Sequence, residues 1–294
     1  MWADVIPRDA ATWRYVGLVC LETLPFMVIS FVAVLIDWIT PFPLTIGITP
    51  YEVGGGILGV LLVLRTNSGY DRWWEARKLW GGITNQCRSL ATAAVAFGPS
   101  EGWHEQFVRC VVAFAHATRC SLRDEDARGE VARLLGKSAA AEIPAGTHVP
   151  LWISLRIASS LKLAEADGLL SQAELMQMER ERMTLLDHLG GCERILKTPL
   201  PKAYVITIRQ FLFLFLATLP FGILQMVHWL VPLVTACVAL PLVAIDKIGT
   251  ELQYPFSTAH VNHLPLDAIC ETIERNLLAL IGDVNRVESP AKLD

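Results

Sequence analysis

Hydrophobic and polar positions divide the chain unevenly. The stretch 210–245, "QFLFLFLATLPFGILQMVHWLVPLVTACVALPLVAI", runs for 36 residues without Asp, Glu, Lys or Arg. One membrane crossing takes roughly 20 apolar residues, so this stretch predicts a tight pair of spans, at about 206–226 and 229–246, that turns near "QMVHW". Pro220 and Pro241 predict kinks, which membrane helices tolerate when neighbouring groups take up the freed backbone. A further span is predicted at about 14–37, "YVGLVCLETLPFMVISFVAVLIDW", interrupted by Glu22 and Pro25. The weakest candidate, at about 45–64, has an apolar part of only about 12 residues, nearer a buried helix than a free-standing span. Its Gly54, Gly55, Gly56 and Gly59 each cost an isolated helix about 1 kcal/mol relative to Ala, so this helix calls for close neighbours, as in an oligomer.

The short connections 40–52 and 225–231 contain no Lys or Arg, whereas Arg8, Arg14, Arg65, Arg72, Lys197, Lys202, Arg209 and Lys247 flank the opposite ends. The excess of cations on the cytoplasmic side predicts four spans in a cell (inner) membrane with both termini cytoplasmic. The remainder, about 66–200 and 247–288, is then a helical cytosolic region, and 1–294 reads as a single domain. "SQAELMQMERERMTLLDHLGG" opens with the capping pair Ser171 and Glu174, carries apolar residues at 175, 178, 185, 186 and 189, and is expected to stop at Gly190 and Gly191. "EGWHEQFVRCVVAFAHATRCSLR" and "PLWISLRIASSLKLAEADG" predict two more helices. No strand alternation and no internal repeat is visible.

The junction "RTNSGYDRWWEARKLWGG", 65–82, follows the fourth candidate without a break. If 53–82 is one helix, Tyr70, Trp73, Arg77 and Trp80 share a stripe suited to cation–π packing, and Asp71, Glu75 and Lys78 share another. An interfacial aromatic belt is the other reading. With Arg65 at the hydrocarbon edge, however, Trp73 and Trp74 lie roughly 12 Å farther along the helix axis. A headgroup layer is only about 5–7 Å thick, which favours a helix that continues into a packed body, its charges pairing with other helices.

Composition agrees with the pattern. Hydrophobic residues make up 53% and charged ones 18%, the balance of a membrane protein. A net charge of -4 offers no basic footprint, so nucleic acid is not an expected partner. Seven scattered cysteines without a C-x-x-C pair read as reduced thiols packed as small hydrophobes. The start "MWADVIPRDA" has no basic n-region, so no cleaved signal peptide is expected. Phosphate-loop and serine-elbow motifs are absent; no enzymatic activity and no cofactor are expected. His260 and His263 form an H-x-x-H without evident further ligands, so no metal site is assigned. Glu22 is a functional candidate as an acid inside a span, and both an interfacial and a subunit-facing position stay open for it.

Three segments resemble the bestrophin family of ion channels, particularly its prokaryotic branch: "LRTNSGYDRWWEARKLWG"; "IDKIGTELQYPFSTAHVNHLPLDAICETIERNL" at 245–277; and "TPLPKAY" at 198–204. The resemblance implies an all-α membrane protein with four transmembrane helices per subunit and a helical cytosolic region, assembled as a homopentamer in membrane lipid around a central pore. The family's neck of three apolar rings, carried over, falls on Gly56, Val60 and Leu64, and its cytosolic aperture falls on Leu200. Arg65, Asn67, Tyr70, Trp73, Trp74, Glu75, Arg77 and Trp80 become the structural junction behind that neck. Physics supports the neck independently, because apolar rings replace no hydration and exclude ions by dewetting. From the residues alone, a helix that turns 57, 61 and 64 toward lipid or protein, with the pore elsewhere, is an equal alternative.

The sequence departs from the family pattern in two places. Gly56 stands where a bulky apolar residue is usual, so the neck is expected to be tightest at Val60 and Leu64. Animal bestrophins hold calcium just after P-F; Ala259 and Asn262 stand there in this chain, so no calcium activation through that site is expected. The family includes anion channels and prokaryotic members described as cation-permeable, so sodium, potassium and chloride all remain candidate ions, with a slight tilt to monovalent cations. A secondary transporter and a non-conducting membrane scaffold are the competing classes, the first disfavoured by the lack of repeated halves.

Overall fold

A computed structural model describes residues 10–40 and 46–287. The predicted absence of a signal peptide, the loop residues 41–45 and the last residue of the predicted helical region, 288, therefore lie outside the described residues. Every regular element described is helical: α1 (Ala10–Ile39), α2 (Thr49–Phe97), α3 (Glu101–Arg123), α4 (Arg128–Leu135), α5 (Lys137–Ala141), α6 (Val149–Ala166), α7 (Gln172–Lys197), α8 (Lys202–Val227), α9 (Val231–Glu251) and α10 (Leu266–Val287). They fall into two compact units. One takes in the chain up to Trp73 with Pro199–Pro255 and Ala259–His263; the other takes in Trp74–Thr198, Phe256–Thr258 and the chain from Leu264.

Among the described residues of the first unit, the segments long and apolar enough to cross a membrane are Thr12–Ile39 and Lys202–Glu251; the predicted span at about 45–64 is not one of them, its apolar part being too short. The second of these is two helices. A single 3-10 turn, His228–Leu230, reverses the chain where the sequence predicts it, with His228 in a positive-φ conformation (47°). Prolines 25, 220 and 241 all lie within helices; the break expected at Pro25 is absent, and α1 continues through it.

Polar contacts fix the arrangement of the helices. The Tyr15 hydroxyl donates to the Ala244 carbonyl (3.0 Å) and Lys247 pairs with Glu22 (2.5 Å), so the start of α1 lies beside the end of α9. Arg209 of α8 reaches Asp246 of α9 (3.3 Å), bringing the start of α8 to the same end. At the opposite end the Ile46 amide donates to the Phe221 carbonyl (3.1 Å) and the Tyr51 hydroxyl to the Thr218 carbonyl (2.9 Å). Gly222 is required there: a Cβ on it would collide with the Tyr51 ring. The interior is apolar, with Phe26, Leu58, Leu62, Leu212, Leu216 and Val243 among its members.

The second unit holds Trp80, Ile83 and Leu90 of α2 with Phe107 and Phe114 of α3, and Ile153, Ile157 and Leu161 of α6, all buried. Ser100 caps α3 by accepting from the Trp103 amide (3.4 Å), and the predicted Ser171–Glu174 capping box opens α7. Contrary to expectation, α7 does not stop at Gly190 and Gly191 but runs on to Lys197. The reason is packing: a Cβ on Gly191 would lie 2.8 Å from the Leu79 side chain, so this glycine admits α2 rather than ending α7. Cys87, Cys120, Cys192 and Cys270 are buried and unbridged, and burial pushes the thiols of Cys87 and Cys192 up to about 12.

Candidate functional site

The helix expected across 53–82 exists and is longer: α2 runs unbroken for 49 residues. Its part within the first unit has two opposite faces. With Gly56 at zero on a wheel of about 100° per residue, the exposed positions 53, 56, 57, 60, 63, 64 and 67 fall between about -20° and +100°. The buried positions 58, 62, 65 and 69 fall between about 180° and 240°. The buried face packs Leu58 and Leu62 into the apolar core shared with α8 and α9.

The open face is apolar yet uncovered: Val60 is 61% exposed and Leu64 51%. Such a contiguous apolar strip marks a site of contact or passage rather than ordinary surface. Its glycines differ in purpose. Gly55 rests against the Phe215 ring, where a Cβ would meet the ring at 3.4 Å, whereas a Cβ on Gly56 or Gly59 would meet nothing within 4 Å. Among the described residues nothing therefore requires glycine at 56. The charged residues flanking this strip on the open side are Glu52 before it and Asp71 after it, both exposed.

Directly after Leu64 comes Arg65, which is wholly buried because it continues the 58–62 stripe into the protein. Its guanidinium pairs with Asp246 and donates to the Thr250 hydroxyl (2.9 Å). Arg209 donates to the same hydroxyl (3.0 Å) and pairs with the other carboxylate oxygen of Asp246. Arg209 was read from the sequence only as a flanking cation, and Asp246 and Thr250 were not singled out; the i, i+4 spacing of Asp246 and Thr250 in "DKIGT" was the available signal. One turn beyond Arg65 the helices nearly touch, and a Cβ on Gly69 would lie 2.9 Å from the Gly249 carbonyl oxygen.

The junction residues separate by environment. Tyr70 stacks on Trp73 with centroids 6.4 Å apart, and the Trp73 indole donates to the Asn262 carbonyl (2.8 Å). Asn67 and Trp74 are exposed. In the second unit, Glu75 pairs with Arg194 of α7 (2.5 Å), Trp80 is fully buried and Arg77 is exposed. Leu200, half-buried, sits on the connection between α7 and α8. The segment after α9 is tied internally: buried Glu251 accepts from the Val261 amide (2.8 Å), and His260 stacks on Tyr254 at 4.9 Å. The His263 ring bonds the His260 carbonyl (2.7 Å), so the two histidines do not converge on one point. Among the described residues no group of three His, Cys, Asp or Glu side chains suits a metal ion.

A second polar centre lies inside the other unit. Buried His116 of α3 contacts Glu274 of α10 (2.8 Å) and lies 3.8 Å from Glu130 of α4. Arg133 grips Glu274 through two bonds (2.6 and 2.8 Å), and Arg119 bridges Glu130 and Asp267 (both 3.1 Å). Burial drives His116 below its ordinary 6.5 in spite of the two carboxylates, with Arg119 and Arg133 opposing its charge. The hydrogen bonds from Arg133 hold Glu274 below its ordinary 4.5. Both shifts mean that the unfolded chain binds protons the folded unit refuses, so stability is whole above the ordinary histidine value and is lost on acidification, first through His116 and then through the carboxylates. The melting temperature is expected to fall between about pH 7 and pH 5, and His116→Gln to remove most of that fall. A flat profile for the unsubstituted protein would contradict this.

The family model described as "Bacterial/Fungal Bestrophin protein" matches residues 14–279. A voltage-dependent anion channel-forming protein of Synechocystis sp. is 35% identical over 96% of this chain and 92% of its own length. The voltage-dependent anion channel-forming protein YneE of Escherichia coli is 30% identical, covering 88% of this chain and 84% of the relative. Among solved structures, a bacterial bestrophin homolog from Klebsiella pneumoniae superposes with a TM-score of 0.85 at 30% identity, over 90% of this chain and 98% of that one. The all-helical fold, the apolar segments long enough to cross a membrane and these matches together make the chain a member of the bestrophin family of ion channels, not an enzyme.

Proposed function

We propose that the chain is one subunit of a homopentameric channel in the cell membrane, both termini cytoplasmic, whose central pore is lined by the open face of α2 and narrowed at Gly56, Val60 and Leu64. The carrying observation is the uncovered apolar strip centred on Val60, opposite a face locked into the subunit core. Five such strips around an axis give rings of valine and leucine that exclude ions unless they move apart. Gly56 leaves the first ring without side chains, so closure falls to Val60 and Leu64. Leu200 is read as the second aperture, and 65–80 as the junction that holds the neck. The whole chain then works as one bestrophin-like domain.

The names of the relatives support anions as the ions passed, and chloride is the anion we propose to test. One observation favours the cation reading: Glu52 and Asp71 bracket the open strip, and rings of carboxylates attract cations. The reversal potential of the purified protein under asymmetric salt separates the two. A value near the anion Nernst potential is expected, and one near the cation value would transfer the role to those carboxylates. Light scattering of the same sample is expected to give five copies of the 294-residue chain; a monomer or dimer would overturn the pore.

A further inference from the structure

Hydrophobic packing alone does not decide which residues of α2 form the neck. Leu58 and Leu62 sit in the core through non-directional contacts, and the residues preceding them, Ile57 and Leu61, are of similar size and character. A slip of one residue rotates the helix by about 100° and would put different apolar side chains on the open face, at little cost in burial. Something directional must oppose it.

Arg65 has that property. Its guanidinium is buried on the side of α2 opposite Val60, and in this rotation it meets both Asp246 and the Thr250 hydroxyl (2.9 Å). The acceptors are themselves held in place: the Thr250 hydroxyl donates to the Asp246 carbonyl (3.0 Å) and accepts from Arg209 (3.0 Å). In any other rotation a buried cation loses its counter-ion, the severest penalty available to this helix. Gly69 adds a steric check one turn farther on, since only a side chain without Cβ passes the Gly249 carbonyl there. Buried ionic groups used for registry rather than net stability have precedent in helical assemblies.

We propose that Arg65 is a positioning residue for the neck: its ion pair with Asp246 and its hydrogen bond to the Thr250 hydroxyl together set the rotation of α2 and thereby select Val60 and Leu64 as the pore-facing side chains. The inference rests on the neck assignment above, and its test keeps the two apart. Single cysteines are placed at 60, 61, 62 and 64 in the full-length protein, with the exposed Cys20 and Cys237 changed to serine. Block by a charged methanethiosulfonate reagent is then followed in planar bilayers. In the Arg65 background, reaction at 60 and 64 is expected to exceed that at 61 and 62 by about tenfold or more, as for groups facing an aqueous pore. No contrast in that background overturns the neck assignment, and the inference with it.

Adding Arg65→Met is expected to reduce the contrast to about threefold or less, while Arg65→Lys, which keeps the charge but not the rigid fork that holds Asp246 and Thr250 together, is expected to retain more of it than Arg65→Met. A merely structural arginine would change the amount of folded protein without changing which positions react. Should Arg65→Met fail to fold, Thr250→Val removes only the shared hydroxyl and is expected to lower the contrast by about threefold. Full contrast in a conducting Arg65→Met protein, or in Thr250→Val, would overturn the inference.

Discussion

Replacing Val60 and Leu64 together by alanine is expected to raise open probability or unitary conductance by about tenfold, which needs a barrier only about 1.4 kcal/mol lower. Both side chains stand on the open face of α2, Val60 at 61% exposure and Leu64 at 51%, so their truncation removes apolar bulk from the pathway without opening a cavity in the core. The physical basis is dewetting: shorter side chains widen the constriction and weaken the apolar barrier to hydrated ions. The same truncation at Leu58 and Leu62, which are fully buried, is expected to cost about 2–5 kcal/mol each in stability and to leave conductance unaltered. Single-channel recording of the two double variants separates the faces, and unchanged currents from Val60→Ala with Leu64→Ala would count against those positions as the barrier.

Asp246→Asn is expected to be the most damaging single polar change, destabilising the protein by about 3–5 kcal/mol. The aspartate is the carboxylate facing two guanidinium groups, one of them wholly buried, and its loss strands Arg65 without a counter-charge. A buried pair replaced as a whole behaves differently, so Arg65→Met with Asp246→Leu is expected to recover most of the loss. Thermal unfolding in detergent checks both. Equal melting of Asp246→Asn and the unsubstituted protein would mean that Arg65 is not held by this pair.

These two expectations also mark where sequence reasoning succeeded and where it did not. The hairpin 202–251 was legible because 36 residues without a charge leave no other way to satisfy backbone and solvent. The α7 start was legible because Ser171 and Glu174 form a local device that needs no tertiary partner. The end of α7 was not: whether Gly191 ends a helix or admits a neighbour depends on Leu79, more than a hundred positions away in the chain. The resemblance implies a role for Val60 and Leu64, whereas nothing in the sequence reading anticipated that Arg65 is buried within the subunit. Its burial follows from the helical stripe it shares with Leu58 and Leu62, and its partner Asp246 is far off in the chain. The short helices α4 and α5 left no signal strong enough to read, since eight and five residues carry too little periodicity.

The reading of the protein as a pore comes down to how ions cross. Planar-bilayer recording of the purified, unsubstituted protein distinguishes a continuous pathway from alternating access. Discrete unitary current steps whose amplitude scales with the driving force are the predicted result. Substrate-saturable flux without any unitary step would contradict a channel and return the protein to the transporter class.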